Sequence, residues 1–220
     1  DYGWFMQAET GDGDAATSDG IFVYNATSGV AVGQRLRLKA AVSEYYGLTE
    51  LSGVTDMVVL AEGISMTPVT VAFPEAVEGD LERYEGMLIH IDGDLTVSQN
   101  YFQGRYGEVT LSSGGRLEKP TNIHRANSAE ALALADANAR RRITIDDGSN
   151  LQNPNPIPYI GEDNTLRAGD TVHGLTGVLY YGAVSDSLRD YKLHPTVTPA
   201  ISRDNPRSAT PAAAGGNVRV

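Results

Sequence analysis

The sequence contains no cysteine among its 220 residues. This absence excludes disulfide bonds and thiolate metal sites, and it is compatible both with a cytosolic protein and with a secreted bacterial protein that avoids stray thiols. No stretch approaches the roughly 18 consecutive apolar residues of a membrane-spanning helix. The sequence therefore predicts no membrane partner.

Basic residues are also scarce, because 17 Lys and Arg stand against 28 Asp and Glu and give a net charge of -11. Affinity for a polyanion comes from clustered Lys and Arg. Any nucleic-acid binding must therefore use local patches. The sequence also lacks a Gly-Xaa-Ser-Xaa-Gly elbow and a phosphate-binding loop, so nothing in it indicates nucleophilic catalysis.

Two further absences concern the start of the chain and its histidines. No charged segment followed by an apolar segment marks a signal peptide, and the chain opens at Asp1 without an initiator Met, so we expect a processed or trimmed product.

The four histidines are scattered without an i, i+4 pair, which does not favour a transition-metal site.

What is present is a strand pattern that recurs three times. Each copy opens on a glycine and alternates apolar residues toward a tyrosine, over residues 33–47, 86–101 and 169–180. The first two copies also continue alike, with a turn at Tyr-Gly and a short strand that ends in Leu-Ser. Long strands broken by a glycine kink are how small barrels turn their corners. The repeat therefore predicts a duplicated barrel.

The division into units follows from the strands and from one helix. The alanine-rich segment 128–139, with Asn127 or Ser128 as its cap, is the one convincing helix. A strand-rich barrel with one inserted helix fits the five-stranded OB architecture. We therefore predict an all-β protein of tandem OB-like Greek-key barrels with one inserted short helix.

We place the first unit at residues 1–66, the second at 67–201 with its helical insertion near 128–139, and a polar linker at 202–220. An OB barrel normally has a long first strand ahead of the predicted strand at residues 3–7. This chain shows none, so we expect the first barrel to be incomplete or to borrow an edge. Residues 217–220 resemble the beginning of a strand.

Aromatic and basic residues cluster at the glycine kinks and in the second unit. Aromatic faces and cationic grooves hold single-stranded nucleic acid, with stacking worth about 1–3 kcal/mol per base. The competing interpretation is that the tyrosines fill barrel corners and the arginines pair with acids such as Glu44, Glu108 and Asp146. The candidate nucleic-acid-binding residues are Tyr45, Tyr46, Tyr101, Phe102, Arg105, Tyr106, Arg116, Lys119, Arg140, Arg141 and Arg142.

The loop at residues 10–19 is acidic and glycine-rich, with Asp12, Asp14 and Asp19 as candidate calcium ligands. It lacks the downstream bidentate Glu of an EF-hand, and Asp and Gly are also the residues that hairpin loops use for turns, so the turn interpretation leads. Asp146-Asp147-Gly148 likewise follows a predicted strand and indicates a turn.

Four segments, 11–24, 42–51, 104–115 and 155–159, resemble the region ahead of the catalytic domain in bacterial extracellular endonucleases. The resemblance spans nearly the whole chain. In that family the region is OB-fold-like and precedes a metal-dependent domain similar to deoxyribonuclease I, after an Asn-Pro-Arg junction that 205–207 match here. The resemblance implies secretion, a C-terminal nuclease domain as partner, and magnesium, manganese or calcium in that domain. It assigns no catalytic residue to this chain.

The expected function is a non-catalytic OB-fold module that presents DNA or RNA, with single strands favoured, to a metal-dependent endonuclease domain that hydrolyses phosphodiesters. An alternative is a structural module that binds proteins or surfaces and has no nucleic-acid affinity. A third hypothesis is a small hydrolase that uses Asp12, Asp14 and Asp146, which would require cleavage by the isolated chain.

Overall fold

A computed structural model describes residues 2–26, 29–160, 165–185, 187–211, 213 and 215–216. The strands are β1 (Gly3–Gln7), β2 (Gly20–Tyr24), β3 (Arg35–Tyr45), β4 (Leu48–Ala61), β5 (Val69–Val71), β6 (Leu88–Gln99), β7 (Glu108–Ser113), β8 (Arg142–Asp146), β9 (Thr171–Ser185), β10 (Leu188–Pro195) and β11 (Ala200–Ser202). The helices are α1 (Gln103–Tyr106), α2 (Pro120–Ile123) and α3 (Ala129–Arg140), with a 3-10 helix at Asp80–Tyr84. The prediction of a protein built mainly from β-strands is confirmed.

The predicted strand at 217–220 lies outside the described residues. Within them, no helix has the length and apolar character needed to cross a membrane.

The larger sheet contains a closed ring of strand pairings. β6 pairs with β7, β7 with β8, β8 with β10, β10 with β9, and β9 pairs back with β6. The pairing of β8 with β10 is parallel, and the other four pairings in the ring are antiparallel. β5 and β11 extend this sheet beside β6 and β9. The ring closes without leaving an exposed edge between its five strands.

The hydrophobic core lies inside this ring. Period-two alternation points one face of each strand inward, and in β6 the inward residues Ile89, Ile91, Leu95 and Val97 are all at most 1% exposed. Each fully buried aliphatic side chain of this size contributes about 1.5–3 kcal/mol relative to an exposed one. The other strands of the ring contribute the buried residues Val109, Leu111, Ile143, Ile145, Val172, Leu175, Leu179, Tyr191 and Leu193.

The smaller sheet is open, with the order β1-β2-β4-β3. β2 and β4 are parallel, and the other two pairings are antiparallel. Among the described residues of these four strands, the buried apolar side chains are Val23 and Leu48. Leu36 and Leu38 are half-buried, and Val42 is 70% exposed. This sheet therefore encloses much less apolar surface than the ring does.

The two sheets pack directly against one another. The Ser18 hydroxyl donates a hydrogen bond to the carbonyl oxygen of Glu85. The ring of Phe5 on β1 lies edge-on to Tyr180 on β9, with centroids 5.9 Å apart. The first sheet thus covers part of the outer face of β9 and β10.

The predicted helix is found at α3, between β7 and β8. Ser128 is the N-cap, because its Oγ accepts a hydrogen bond from the backbone N of Ala131 at 3.2 Å. This cap satisfies one of the free N–H groups of the first turn.

The strand pairings make β1, β2, β3 and β4 the counterparts of β7, β8, β9 and β10, in the same chain order and with the same parallel pair. The sequence repeat aligned 33–47 with 169–180, which matches β3 with its counterpart β9, and also with 86–101, which matches β3 with β6. Glycines in long strands are typical of places where a strand bends around a barrel corner. Two of the three copies, β3 and β9, therefore occupy equivalent positions, whereas β6 shares only the type of strand.

Candidate nucleic-acid interface

The connection between β6 and β7 carries an exposed aromatic cluster. Tyr101 is 79% exposed, and its ring lies 5.0 Å from that of Phe102 in an edge-on contact. The Phe102 ring lies 5.8 Å from Tyr106, and the Arg105 guanidinium carbon lies 5.5 Å from the centroid of the Tyr106 ring. We call these four residues, Tyr101, Phe102, Arg105 and Tyr106, the β6–β7 cluster.

Hydrogen bonds to the rest of the protein hold this connection in place. The carbonyl oxygen of Arg105 accepts from the backbone N of Asn153 at 2.8 Å, and the carbonyl oxygen of Gly107 accepts from the buried Tyr159 hydroxyl at 2.6 Å. Gly107 ends α1 at φ 70°, and a Cβ there would lie 2.4 Å from a carboxylate oxygen of Asp147. Glycine is therefore required where the connection turns into β7.

A second aromatic pair occupies the hairpin between β3 and β4. Tyr45 and Tyr46 contact each other edge-on at 4.9 Å and are 55% and 68% exposed. The guanidinium carbon of Arg189 lies 4.6 Å from the centroid of the Tyr46 ring. The two exposed tyrosines are thus tied to the first residues of β10.

The two clusters lie at opposite ends of β10. Arg189, beside Tyr46, is near its N-terminal end, whereas the β6–β7 cluster leads into Glu108, which contacts Lys192 near its C-terminal half. Glu108 pairs with Asp146, and the neighbouring Ile145 pairs with Leu193, which is four positions from Arg189, or about 13 Å along a strand. The aromatic residues predicted as one patch are therefore two separate groups.

The arginines around the start of β8 are engaged within the protein. Arg140 donates to Asp136 Oδ2 at 3.0 Å, and Arg142 donates to Asp190 Oδ2 at 2.8 Å. Arg141 donates to the carbonyl oxygens of Ser113, Gly115 and Arg116. These contacts agree with the interpretation that the arginines pair within the protein. The acids are Asp136 and Asp190, whereas Glu44, Glu108 and Asp146 were expected.

Arg116 and Lys119 are exposed. The backbone N of Leu117 donates to Ser98 Oγ at 2.9 Å, which brings this segment to the end of β6, three residues before Tyr101. Arg116 and Lys119 therefore flank a residue that is fixed to the end of β6.

Beside the cluster lies a buried group of charges on the outer face of β7, β8 and β10. Lys192 Nζ donates to Glu108 Oε1 at 2.6 Å and to Asp146 Oδ2 at 2.9 Å, and Lys192 is 5% exposed. Burial raises the pKa of Glu108, and the hydrogen bond from Lys192 opposes that rise. Sequence reasoning missed Lys192, because outward alternation on a strand normally indicates solvent exposure.

Three of the four histidines, His90, His173 and His194, contact other side chains. His90 Nδ1 lies 2.8 Å from Thr176 Oγ1, and His173 Nδ1 lies 2.7 Å from Asp94 Oδ1. The ring of His194 lies 5.3 Å from that of Tyr180, and burial lowers the pKa of His194.

The acidic loop uses its carboxylates in turns. Asp12 Oδ1 accepts from the backbone N of Asp14 at 2.8 Å, Asp14 Oδ1 accepts from Ala16 at 2.9 Å, and Asp19 Oδ1 accepts from Asp12 at 3.2 Å. Asp146 and Asp147 bind the backbone N atoms of Gly148 and Ser149 in the same way. Within the described ranges, no group of three or more His, Cys, Asp or Glu side chains is placed to hold a metal ion.

Comparison with known proteins gives no relative: no family model matches the chain, and neither a curated protein nor a solved structure matches it.

Proposed function

We propose that the chain consists of two OB-like units and that the second binds single-stranded nucleic acid at the β6–β7 cluster without cutting it. The observation that carries this proposal is the 79% exposure of Tyr101 on a connection that is otherwise fastened to the barrel. An exposed aromatic ring on a fixed support is suited to stacking against a base.

The order of strand pairings supports the OB assignment. The OB fold is a five-stranded Greek-key barrel, and it binds oligonucleotides at the face of its second and third strands and at the loops between strands 1 and 2 and between strands 4 and 5. In the ring, the connection between β6 and β7 is the first of these loops. The β3–β4 hairpin with Tyr45 and Tyr46 is the counterpart of the second loop in the first unit.

The chemistry of the cluster fits a single strand better than a duplex. Stacking on tyrosine requires bases with free faces, which a duplex hides, and Arg105 places a cation within reach of a phosphate. Arg116 and Lys119 extend this charge. With a net charge of -11, the protein has no general affinity for polyanions to add to this local patch.

A second candidate function is a structural or interaction module. The observation that favours it is that Arg140, Arg141 and Arg142 all donate to groups of the protein itself. If the β6–β7 cluster contacts a protein or a surface instead, nucleic-acid affinity is absent at every salt concentration.

The proposal extends to the parent protein through the endonuclease resemblance alone. On that basis the module presents DNA or RNA to a C-terminal metal-dependent hydrolytic domain of a secreted enzyme. Calcium at Asp12, Asp14 and Asp19 belongs to the same proposal, and unchanged thermal unfolding with calcium and with a chelator would remove it.

The test is fluorescence anisotropy with a labelled single strand of about 16 nucleotides, the upper site size of one OB unit. A duplex of equal length is compared, salt is varied, and a gel of each mixture reports cleavage. We expect salt-sensitive binding of the single strand, no cleavage, and affinity reduced about 5-fold or more by Tyr101→Ala.

Tyr24→Ala is the matched control, because Tyr24 is also an exposed tyrosine (49%) but lies at the end of β2. Equal affinities of the two variants would show that the β6–β7 cluster is not the binding site. Absence of binding at low salt would favour the interaction module.

A further inference from the structure

The two outer strands of the first sheet each have one unpaired edge. Among the described residues, β1 pairs with β2 alone and β3 pairs with β4 alone. The face of β3 that carries Leu36, Leu38 and Val42 is incompletely covered, since Leu36 and Leu38 are half-buried and Val42 is 70% exposed. Unpaired strand edges beside exposed apolar side chains are sites where another strand pairs.

The ring shows which strand this sheet lacks. β1 to β4 reproduce the pairings of β7, β8, β9 and β10, including the parallel pair. In the ring, β6 pairs antiparallel with both β7 and β9 and so closes it. Among the described residues, the first sheet has a counterpart for every strand of the ring except β6.

An ion pair between the edge strand β3 and a residue just beyond the other edge strand, β1, shows that the gap between these two strands is narrow. Arg35, at the start of β3, donates through Nε and Nη2 to the two carboxylate oxygens of Glu9, just beyond β1, at 2.5 Å each. Strands pair at about 4.8 Å, so a gap one strand wide separates β1 from β3 by about 10 Å. Extended arginine and glutamate side chains bridge such a gap.

We propose that the first sheet is completed by one extended polypeptide strand from outside residues 1–220, which inserts between β1 and β3 antiparallel to both. Its apolar residues recur at every second position and face Leu36, Leu38 and Val42, as those of β6 face the core of the ring. The C-terminal tail is anchored beside β9 at Asn205, whose Nδ2 donates to the carbonyl oxygen of Ala168 at 2.7 Å.

The probe for this proposal is a synthetic peptide with the sequence of residues 86–99, the strand that has this role in the ring. Its control carries serine at the four inward positions 89, 91, 95 and 97. Hydrogen exchange with mass spectrometry is followed on the whole chain with each peptide. We expect the first peptide to slow amide hydrogen exchange about tenfold in both edge strands, β1 and β3, and the control peptide to have no effect.

A pair of variants locates the binding face. Val42→Lys places a charge on the face that carries Leu36 and Leu38 and should abolish the protection, while its melting temperature stays unchanged because Val42 is 70% exposed. Val58→Lys is the matched control, because Val58 is 42% exposed and pairs with Arg37 on the opposite face of the sheet. It should keep the protection.

Three results would overturn the proposal. The first is exchange that no peptide slows in either edge strand. The second is protection confined to 108–113 and 171–185, which would show that the peptide replaces β6 in the ring. The third is a dimer in sedimentation with both edges already protected, which would make a second copy of this chain the partner.

Discussion

The guanidinium carbon of Arg189, on β10, lies 4.6 Å from the centroid of the Tyr46 ring, at the tip of the β3–β4 hairpin. Tyr46 and Gly47 form a two-residue turn with φ 52° and 90°. Positive φ at both positions is the type I′ geometry, which favours asparagine and glycine, so a tyrosine is strained there. The contact with Arg189 helps to stabilise that conformation and joins the first sheet to the ring.

Arg189→Ala should therefore lower the free energy of unfolding by about 0.5–1 kcal/mol, the usual value of a partly exposed cation–π contact. Urea denaturation followed by tyrosine fluorescence measures the change. Arg37→Ala is the control, because Arg37 is exposed on β3 of the first sheet. Equal effects in the two variants would mean that the contact does not stabilise the protein.

The positions of most strands were predictable because a strand that covers a core alternates its apolar residues. The strand Gly3–Gln7 is found at the predicted residues 3–7. Which strands pair was not predictable, because period two fixes the faces of a strand and not its neighbours. The ring pairing of β6 with β9 joins segments that are about 80 residues apart along the chain.

The candidate site was predictable in composition but not in arrangement. Tyr46 and Tyr106 each precede a glycine, yet the first is in a hairpin and the second ends α1. The partner of Glu108 and Asp146 is Lys192 and not an arginine, because β8 pairs in parallel with β10. Such a contact across three strands has no local signature in the sequence.

Gly20→Ala should destabilise the packing between the two sheets. A Cβ at Gly20 would lie 2.3 Å from the carbonyl carbon of Gly86, and backbone atoms cannot move aside as a flexible side chain can. Overpacking of this kind costs about 1–3 kcal/mol, and a fully backbone contact belongs at the upper end. Thermal unfolding by circular dichroism provides the measurement.

Gly29→Ala is the control for this substitution, since a Cβ there meets nothing within 4 Å and Gly29 has no left-handed φ. It should leave the melting temperature unchanged. If Gly20→Ala melted at the same temperature as Gly29→Ala, the close approach of the two backbones would be excluded.

Stability should fall as the pH rises through the titration of Glu85. Burial raises the pKa of Glu85 to about 7, against a usual value of 4.5, although the backbone N of Thr49 donates to its Oε1. Its Oε2 is buried without a hydrogen-bond partner, and the nearby carboxylates Glu82 and Glu44 raise the pKa further. The folded state therefore holds this proton more tightly than the unfolded state does.

Between about pH 4.5 and 7, Glu85 is protonated in the folded state and ionised in the unfolded state. The free energy of unfolding therefore decreases as the pH rises through that window and is lowest above it. Glu85→Gln should be more stable than the wild type at pH 8, by at most about 3 kcal/mol, and equal to it at pH 4. Urea denaturation at each pH measures the difference. Glu78→Gln, at an exposed position, is the control, and its free energy of unfolding should depend on pH as that of the wild type does. The same pH dependence in Glu85→Gln would show that Glu85 does not cause the loss of stability.

Lys192→Met should be the most destabilising of these substitutions. It removes the cation that lies 2.6 Å from Glu108 and 2.9 Å from Asp146, and it leaves both carboxylates buried. Breaking a buried ion pair by removing one partner costs about 3–5 kcal/mol.

The matched control is Lys39→Met, because Lys39 pairs with Asp56 at 2.8 Å while the two side chains are 78% and 65% exposed. An exposed pair contributes about 0–1 kcal/mol, so the control should unfold almost as the wild type does. The double variant Lys192→Met with Glu108→Gln should recover part of the loss, since one of the two stranded charges is then neutral. Similar losses in Lys192→Met and Lys39→Met would show that water reaches the group on the outer face of β7, β8 and β10, whereas a large loss restricted to Lys192→Met would show that this charge group stabilises the barrel beside the β6–β7 cluster.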